Sequence, residues 1–317
     1  MHHFSFRKSV LDIYKYDILC ISETFLQGDN SIEVNGYIYY GNNRNKIHKK
    51  AKRGSGGVGI LVKESLLTEY NVEILDKSNE GILWLKLSSV IDKQSLCICS
   101  CYLPPKYSKH AINADVFYQR LIEDVYVHQN DGLICICGDF NSRLGDIPDY
   151  IEGADNIPHR AVHDYEENEY GNLLADFLIN SNMCILNGRN NSKDNYTCIS
   201  HKGKSVIDYL IVPHDQLHFW ESMKVITMNE VINDNGIHPP VSIPDHSLLM
   251  CKLKAIEVMS DGKDTENNVT KKMYNLKNIP HTYMDKSDVD ISNHIQNLAQ
   301  ALQSEDNLDI AYICKFQ

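Results

Sequence analysis

The sequence predicts an α/β protein in which one β-sheet packs on another and helices cover the outside. Two observations carry this expectation. Short runs rich in β-branched and aromatic residues recur through residues 1–255, each bounded by Gly, Pro or Asn. Few of the segments between them show the i, i+4 spacing of an amphipathic helix. Many strands with scattered helices bury their apolar faces best as sheet on sheet, flanked by helices.

In chain order, a helix is expected at Lys8–Tyr14, followed by strands at Asp17–Ser22, Tyr37–Tyr40, Val58–Val62, Ile82–Leu87 and Leu96–Tyr102. The next helix, Ala114–His128, repeats Phe117, Leu121 and Val125 at four-residue spacing, a core-facing stripe. A strand at Leu133–Cys137 precedes a helix at Gly171–Ile179, where Leu173, Leu174, Phe177 and Leu178 form a second stripe. Strands at Met183–Leu186, Val206–Val212 and Leu248–Leu253 complete the domain. After residue 256 the polar, turn-rich SDGKDTENNVTKK reads as a linker. Ile291, Ile295, Leu298 and Leu302 then mark one amphipathic helix. The expected organisation is one domain over 1–255 and a linker with a helical extension over 256–317.

The 317 residues suffice for a sizeable core, and 43% hydrophobic with 23% charged residues is ordinary for a globular protein. No apolar run reaches the ~18–20 residues of a membrane helix. The first residues lack the apolar stretch and cleavage site of a signal peptide. An intracellular protein, nuclear or cytoplasmic, is expected, with no membrane contact and no obligate protein partner. Cys97, Cys99 and Cys101 alternate, as do Cys135 and Cys137, the period of strands rather than of a C-x2-C metal knuckle. The cysteines are read as buried, reduced core thiols. A net charge of −11 argues against a simple nucleic-acid coat protein. It leaves room for local basic patches, of which Arg44, Lys46, Lys49, Lys50, Lys52 and Arg53 form one; a solvated loop is the plainer reading.

Polar residues repeatedly end apolar strands. Glu23 follows DILCIS, Asp139 and Asn141 follow LICICG, Asp208 sits inside SVIDYLIV, and Asp245 and His246 precede the last strand. Singly, each is an ordinary turn residue. Jointly, an oxygen-rich set suits Mg²⁺, or Mn²⁺, and Asp208 beside His246 would fix the imidazole tautomer. Such a set fits phosphodiester hydrolysis. A carboxylate or amide orients water, an imidazolium stabilises the transition state, and Tyr102 in CYLPP adds a phenolic hydrogen bond.

Taken in order, ISETFL (21–26), GGVGILV (56–62), CYLPP (101–105), GDFNSRLGD (138–146), SVIDYLIV (205–212) and PDHSLL (244–249) resemble the endonuclease/exonuclease/phosphatase superfamily over about residues 5–255. NGR (187–189) and YTCIS (196–200) are similar to the apurinic-type endonucleases of non-LTR retrotransposons. The resemblance implies a four-layered α/β sandwich, two facing mixed sheets flanked by helices, with the site at one end. It implies a metal-dependent, DNA-nicking endonuclease. In it Glu23, Asp139 and Asp245 serve the metal, Tyr102 contacts phosphate, and Asp139 with Asn141 positions water and phosphate. Asp208 orients the catalytic His246. Thr197 and Ser205 match polar positions near the substrate, and the loop bearing Arg44, Lys49, Lys50 and Arg53 lies near the DNA path.

The chain departs from the family pattern at its start. An asparagine-bearing strand is expected well before the metal-site glutamate, yet Met1 lies only 22 residues before Glu23. A chain lacking its first strand is therefore expected, with a catalytically impaired remnant or weak nucleic-acid-binding module as the alternative. The tail after 256 resembles the segment joining such endonucleases to a reverse transcriptase. A second alternative, a phosphatase or phosphodiesterase acting on a lipid or RNA, keeps the fold and changes the substrate. The inositol phosphatases of the superfamily carry a Trp-Cys-Asp-Arg type run where this chain has SVIDYLIV.

Overall fold

Val58, Ile60 and Val62 alternate along one strand, and the structure buries them against Leu83, Leu85 and Leu87 of another. That contact is the seam between two sheets. In this computed structural model residues 16–44, 56–91, 94–189, 195–236 and 243–254 are described. The expected helix at Lys8–Tyr14, any strand before it, and the linker and tail at 256–317 lie outside those residues.

The first sheet has the order β1-β3-β2, with β1 at Ile18–Ser22, β2 at Tyr37–Asn42 and β3 at Val58–Lys63. Both faces of β3 are covered, because Leu61 turns away from the seam onto Ile32 and Val34. This explains why VGILV is a continuous apolar run rather than an alternating one.

The second sheet has six strands. They are β4 (Tyr70–Asp76), β5 (Ile82–Ser89), β6 (Ser95–Tyr102), β7 (Leu133–Asp139), β8 (Met183–Ile185) and β11 (Asp208–Pro213), in the order β4-β5-β6-β7-β11-β8. Only β6 and β7 run parallel, and helix α1 (Ala114–His128) makes the crossover that a parallel pair requires. The α1 stripe packs Phe117, Leu121 and Val125 inward, while Asn113 caps its start by accepting from the Val116 amide. Two polar ties fix the helix to the sheet side: Trp84 Nε1 donates to Asp124 Oδ2 at 2.9 Å, and Tyr118 Oη meets Ser142 Oγ at 2.8 Å. Helix α2 (Glu169–Asn180) packs beside α1.

Among the described residues the remaining elements are two strand pairs, a short α-helix and two 3-10 turns at Glu64–Thr68 and His214–Phe219. Strands β9 (Cys198–Ser200) and β10 (Gly203–Ser205) form one pair, and β12 (Trp220–Ile226) and β13 (Leu248–Leu253) form the other. The latter packs Trp220, Met223 and Val225 on Leu210 and Val212 of β11. Helix α3 (Met228–Asp234), closed by a Thr227–Glu230 capping box, buries Val231 and Ile232 against Ile226 and Leu248. The whole is a mixed-sheet α/β sandwich with flanking helices. Among the described residues no helix is long and apolar enough to cross a membrane.

Cys97, Cys99, Cys101, Cys135 and Cys184 are buried, while Cys20, Cys137, Cys198 and Cys251 are half-buried. The alternation reflects the sheet's two faces: Cys99 lies 3.3 Å from Cys101, whereas Cys135 joins the β12–β13 core.

Candidate active site

The register of the six-stranded sheet aligns three of the expected residues. Tyr102 on β6 pairs with Asp139 on β7, and Asp139 pairs with Asp208 on β11. Gly138 permits this closeness: its φ is +152°, and a Cβ there would stand 2.0 Å from the Cys101 carbonyl oxygen.

Beyond β7 the chain turns sharply. Asn141 adopts a left-handed φ of 48°, held by its amide donating to Asp139 Oδ1 at 2.9 Å and its Nδ2 donating to Leu103 O at 2.9 Å and Asp139 Oδ2 at 3.1 Å. On the facing sheet Glu23 is also left-handed, φ 52°, directly after β1. The next two amides, Thr24 and Phe25, donate to Gly57 O and Gly56 O and hold that turn. Phe25, at φ 56°, shares the Glu23 turn, and each non-glycine residue held in this region costs ~1–3 kcal/mol, a strain typical of sites whose geometry matters more than local stability. Tyr102 Oη donates to Glu23 Oε1 at 2.5 Å, joining the two sheets across the cleft.

Asp208 begins β11 rather than lying inside it. Thr197 Oγ1 accepts from both the Ile207 and Asp208 amides, at 2.9 and 3.0 Å, so Val206 and Ile207 do not enter the strand expected at Val206–Val212. Asn187 clamps the other side, its Nδ2 donating to Asp208 O and its Oδ1 accepting from the Leu210 amide, both at 3.1 Å. The Asp208 carboxylate faces His246 Nδ1 at 2.9 and 3.0 Å from its two oxygens.

Electrostatics follow from this crowding. Burial, reinforced by the neighbouring Asp208, raises the Asp139 carboxyl well above the usual range. For His246 burial works downward, but the bond to Asp208, the Cys198 contact and nearby Asp139 outweigh it and push the imidazole up to about 12. Burial and Glu23 raise the Tyr102 phenol, which stays protonated and able to donate.

Ligating atoms of Asp139, Asp208 and His246 lie within 4.8 Å of one another, and those of Cys198, Asp245 and His246 form a second such group. Glu23 belongs to neither, but faces Asp139 electrostatically and bonds to Tyr102. The resemblance made Thr197 a substrate-side residue; the structure buries it completely and spends its hydroxyl on main-chain amides. Ser205 is half-buried at the end of β10, where its carbonyl accepts from the Thr197 amide. Arg44 is ion-paired to Glu80. Lys49, Lys50 and Arg53 lie outside the described residues. Asn187 was not singled out for chemistry, although it stands in the NGR motif; Cys198, inside YTCIS, was not either.

A profile of the Endonuclease/Exonuclease/phosphatase family matches residues 7–226. The chain belongs to the endonuclease/exonuclease/phosphatase family. Solved structures agree on the fold. The AP endonuclease LMAP from Leishmania major superposes with a TM-score of 0.56 at 14% identity, covering 78% of this chain and 81% of that one. The endonuclease domain of TRAS1, a telomere-specific non-LTR retrotransposon, gives 0.52 at 15% identity, covering 80% and 91%. The 3′ phosphatase NExo from Neisseria, bound to a product DNA hairpin, gives 0.52 at 13% identity, covering 80% and 95%. No curated protein matches the sequence significantly. Family members are hydrolytic nucleases and phosphatases, so the chain is assigned to that class of hydrolase.

Proposed function

We propose that this family member is a metal-dependent endonuclease that nicks DNA. The observation that carries the reading is the Asp208–His246 dyad set beside Asp139 and Asn141, with the Tyr102–Glu23 pair opposite. The likeness of the fold to an AP endonuclease, a retrotransposon endonuclease domain and a phosphatase bound to DNA supports the substrate class.

Each residue has a task. Asp139 and Asn141, locked together by two hydrogen bonds, orient the attacking water toward phosphorus. His246, kept as an imidazolium by Asp208, offers a charged N–H to a phosphate oxygen and stabilises the charge that builds there. Tyr102 donates its phenolic proton to a second oxygen once substrate displaces its bond to Glu23.

The donor set fits a hard divalent cation. Asp139 and Asp208 lie beside one imidazole, Glu23 acts on Asp139 electrostatically, and the strain of burying Asp139 beside Asp208 is the kind that such an ion relieves. Glu23 and Asp139, with Asp245 at the exposed rim, would hold Mg²⁺ or Mn²⁺, which when bound neutralises the phosphate and the leaving oxygen.

The deciding experiment is nicking of supercoiled plasmid by the purified chain with Mg²⁺ and with EDTA, beside Asp139→Ala and His246→Ala. Nicking that needs Mg²⁺ and vanishes in both variants is expected. A folded protein that leaves plasmid intact while hydrolysing an RNA or a phosphoinositide would overturn the DNA reading.

A further inference from the structure

His246 belongs to two groups of ligating atoms, and only one of them is built from oxygen alone apart from the ring itself. The other contains a thiol. Cys198 and His246 lie opposite one another in an antiparallel bridge between β9 and the segment before β13. The flanking bonds, Ile199 N–H to Asp245 O and Ser247 N–H to Thr197 O, both 2.7 Å, leave Cys198 and His246 as the non-hydrogen-bonded pair between them. In such a pair the side chains share a face and approach most closely. The Asp245 carboxylate also reaches them, so that one atom from each of the three lies within 4.8 Å of the others.

We propose that Cys198, Asp245 and His246 form a binding site for a borderline-soft divalent cation of the Zn²⁺ type, which competes with catalysis. Thiolate, imidazole and carboxylate are the ligand types Zn²⁺ takes, and three protein ligands leave a fourth position for water. Mg²⁺ prefers oxygen throughout and is a poor match. The second sphere is already in place: Asp208 occupies His246 Nδ1, leaving Nε2 for the ion, the carboxylate–imidazole–metal arrangement that orients ligating histidines. Cys198 and His246 are half-buried and Asp245 exposed, so water and metal reach the site from solvent. Binding releases the thiol proton and the Nε2 proton to solvent. An ion there takes the N–H that the nuclease reading assigns to phosphate, and inhibition is its consequence; this last clause rests on that reading.

The full chain, stripped with EDTA and desalted, is titrated with Co²⁺ as a spectroscopic stand-in for Zn²⁺. One equivalent should raise a near-ultraviolet thiolate-to-cobalt charge-transfer band and tetrahedral visible bands, bleached by Zn²⁺ and indifferent to Mg²⁺. Cys198→Ser should abolish the charge-transfer band, and Asp245→Asn should weaken Co²⁺ binding by at least ~10-fold, the loss that even an outer-shell partner's removal causes. Cys314→Ser, in the C-terminal tail, should keep both features. No band in the wild type, or an unchanged band in Cys198→Ser, overturns the site. Should Cys198→Ser fail to fold, alkylation of the wild-type thiols read by mass spectrometry gives the answer: Zn²⁺ should protect Cys198 and Mg²⁺ should not, and equal labelling overturns the proposal. In Mg²⁺-supported nicking, one equivalent of Zn²⁺ should halt the wild type and spare Cys198→Ser. The cobalt spectrum reports the site whether or not the chain cleaves DNA, so the two readings fail separately.

Discussion

Arg189 ends the NGR motif and is fully enclosed, its side chain 0% exposed against 1% for its partner Asp149. Its guanidinium donates to both Asp149 oxygens, at 2.7 and 2.6 Å, to Pro158 O at 2.7 Å, and to Ile185 O. Asp149 also accepts from the Ile185 amide at 2.8 Å. Arg189→Met keeps most of the volume and removes the charge, leaving the carboxylate with one neutral donor in a dry place. Breaking one side of a buried pair costs ~3–5 kcal/mol. With a urea slope of ~2–3 kcal/mol/M, the midpoint should fall by roughly 1–2 M. Asp149→Asn should cost a similar amount, and Asp149→Leu/Arg189→Met less than the sum of the singles, with coupling of ~2–3 kcal/mol.

The pH dependence provides an independent check on the same pair. Burial works to raise the Asp149 carboxyl, but the Arg189 bond and charge and the Ile185 amide outweigh it, so its folded pKa is lowered. A depressed folded pKa contributes stability above the unfolded value of ~3.9 that is lost as pH falls through the folded value. In Arg189→Met burial is opposed only by the Ile185 amide and the Arg160 charge, so the carboxyl moves up and that variant gains stability on protonation. The gap between wild type and variant should therefore shrink as pH falls from ~6 to ~4. Urea melts followed by circular dichroism in EDTA measure both effects. A midpoint shift under ~0.3 M, or a gap constant across that pH range, would refute the argument.

Further outcomes follow from the site and its supports. Asp208→Asn should lower the nicking rate about 10²–10⁴-fold with little change in urea midpoint, because the imidazolium loses its charged partner but the Thr197 and Asn187 clamps remain. Thr197→Val preserves shape and strands two buried amides, so it should cost ~1–3 kcal/mol in a urea melt and slow nicking through a displaced Asp208. Gly188→Ala places a Cβ 2.2 Å from Ala161 O at φ +79° and should lower the melting temperature far more than Gly236→Ala, where φ is +60° and nothing lies within 4 Å.

Periodicity made the central elements legible. The α1 stripe predicted Ala114–His128 to the residue, and LLMCKL predicted β13, since each presents one clear apolar face or run. The strands that escaped notice lack that signal. β4 alternates weakly at a sheet edge, β9 and β10 have three residues each, and the outward Glu221 and Lys224 interrupt the apolar pattern of β12. α3 is seven residues long, too short for a stripe, and it was not expected from the sequence. The polar residues at strand ends could be named from sequence because charge after an apolar run is conspicuous. Their supports could not. A hydroxyl that takes two amides, as Thr197 does, looks in sequence like any strand threonine, and the closeness of Cys198 to His246 depends on a bridge between segments almost fifty residues apart.

The alignment of Tyr102, Asp139 and Asp208 across three adjacent strands turns the spacing of the reactive groups into a property of the hydrogen-bond ladder. Neighbouring strands stand ~4.8 Å apart, so the separations between these positions come in whole strand widths and cannot drift by small amounts. A one-residue slip of β7 would send Asp139 to the opposite face while leaving every ladder bond replaceable. Insertions within β6, β7 or β11 should thus be read as all-or-none, whereas the loops after Glu23 and Asn141 are free to vary in length and retune what is bound. The frame tolerates novelty at its rim because it permits none in its rungs.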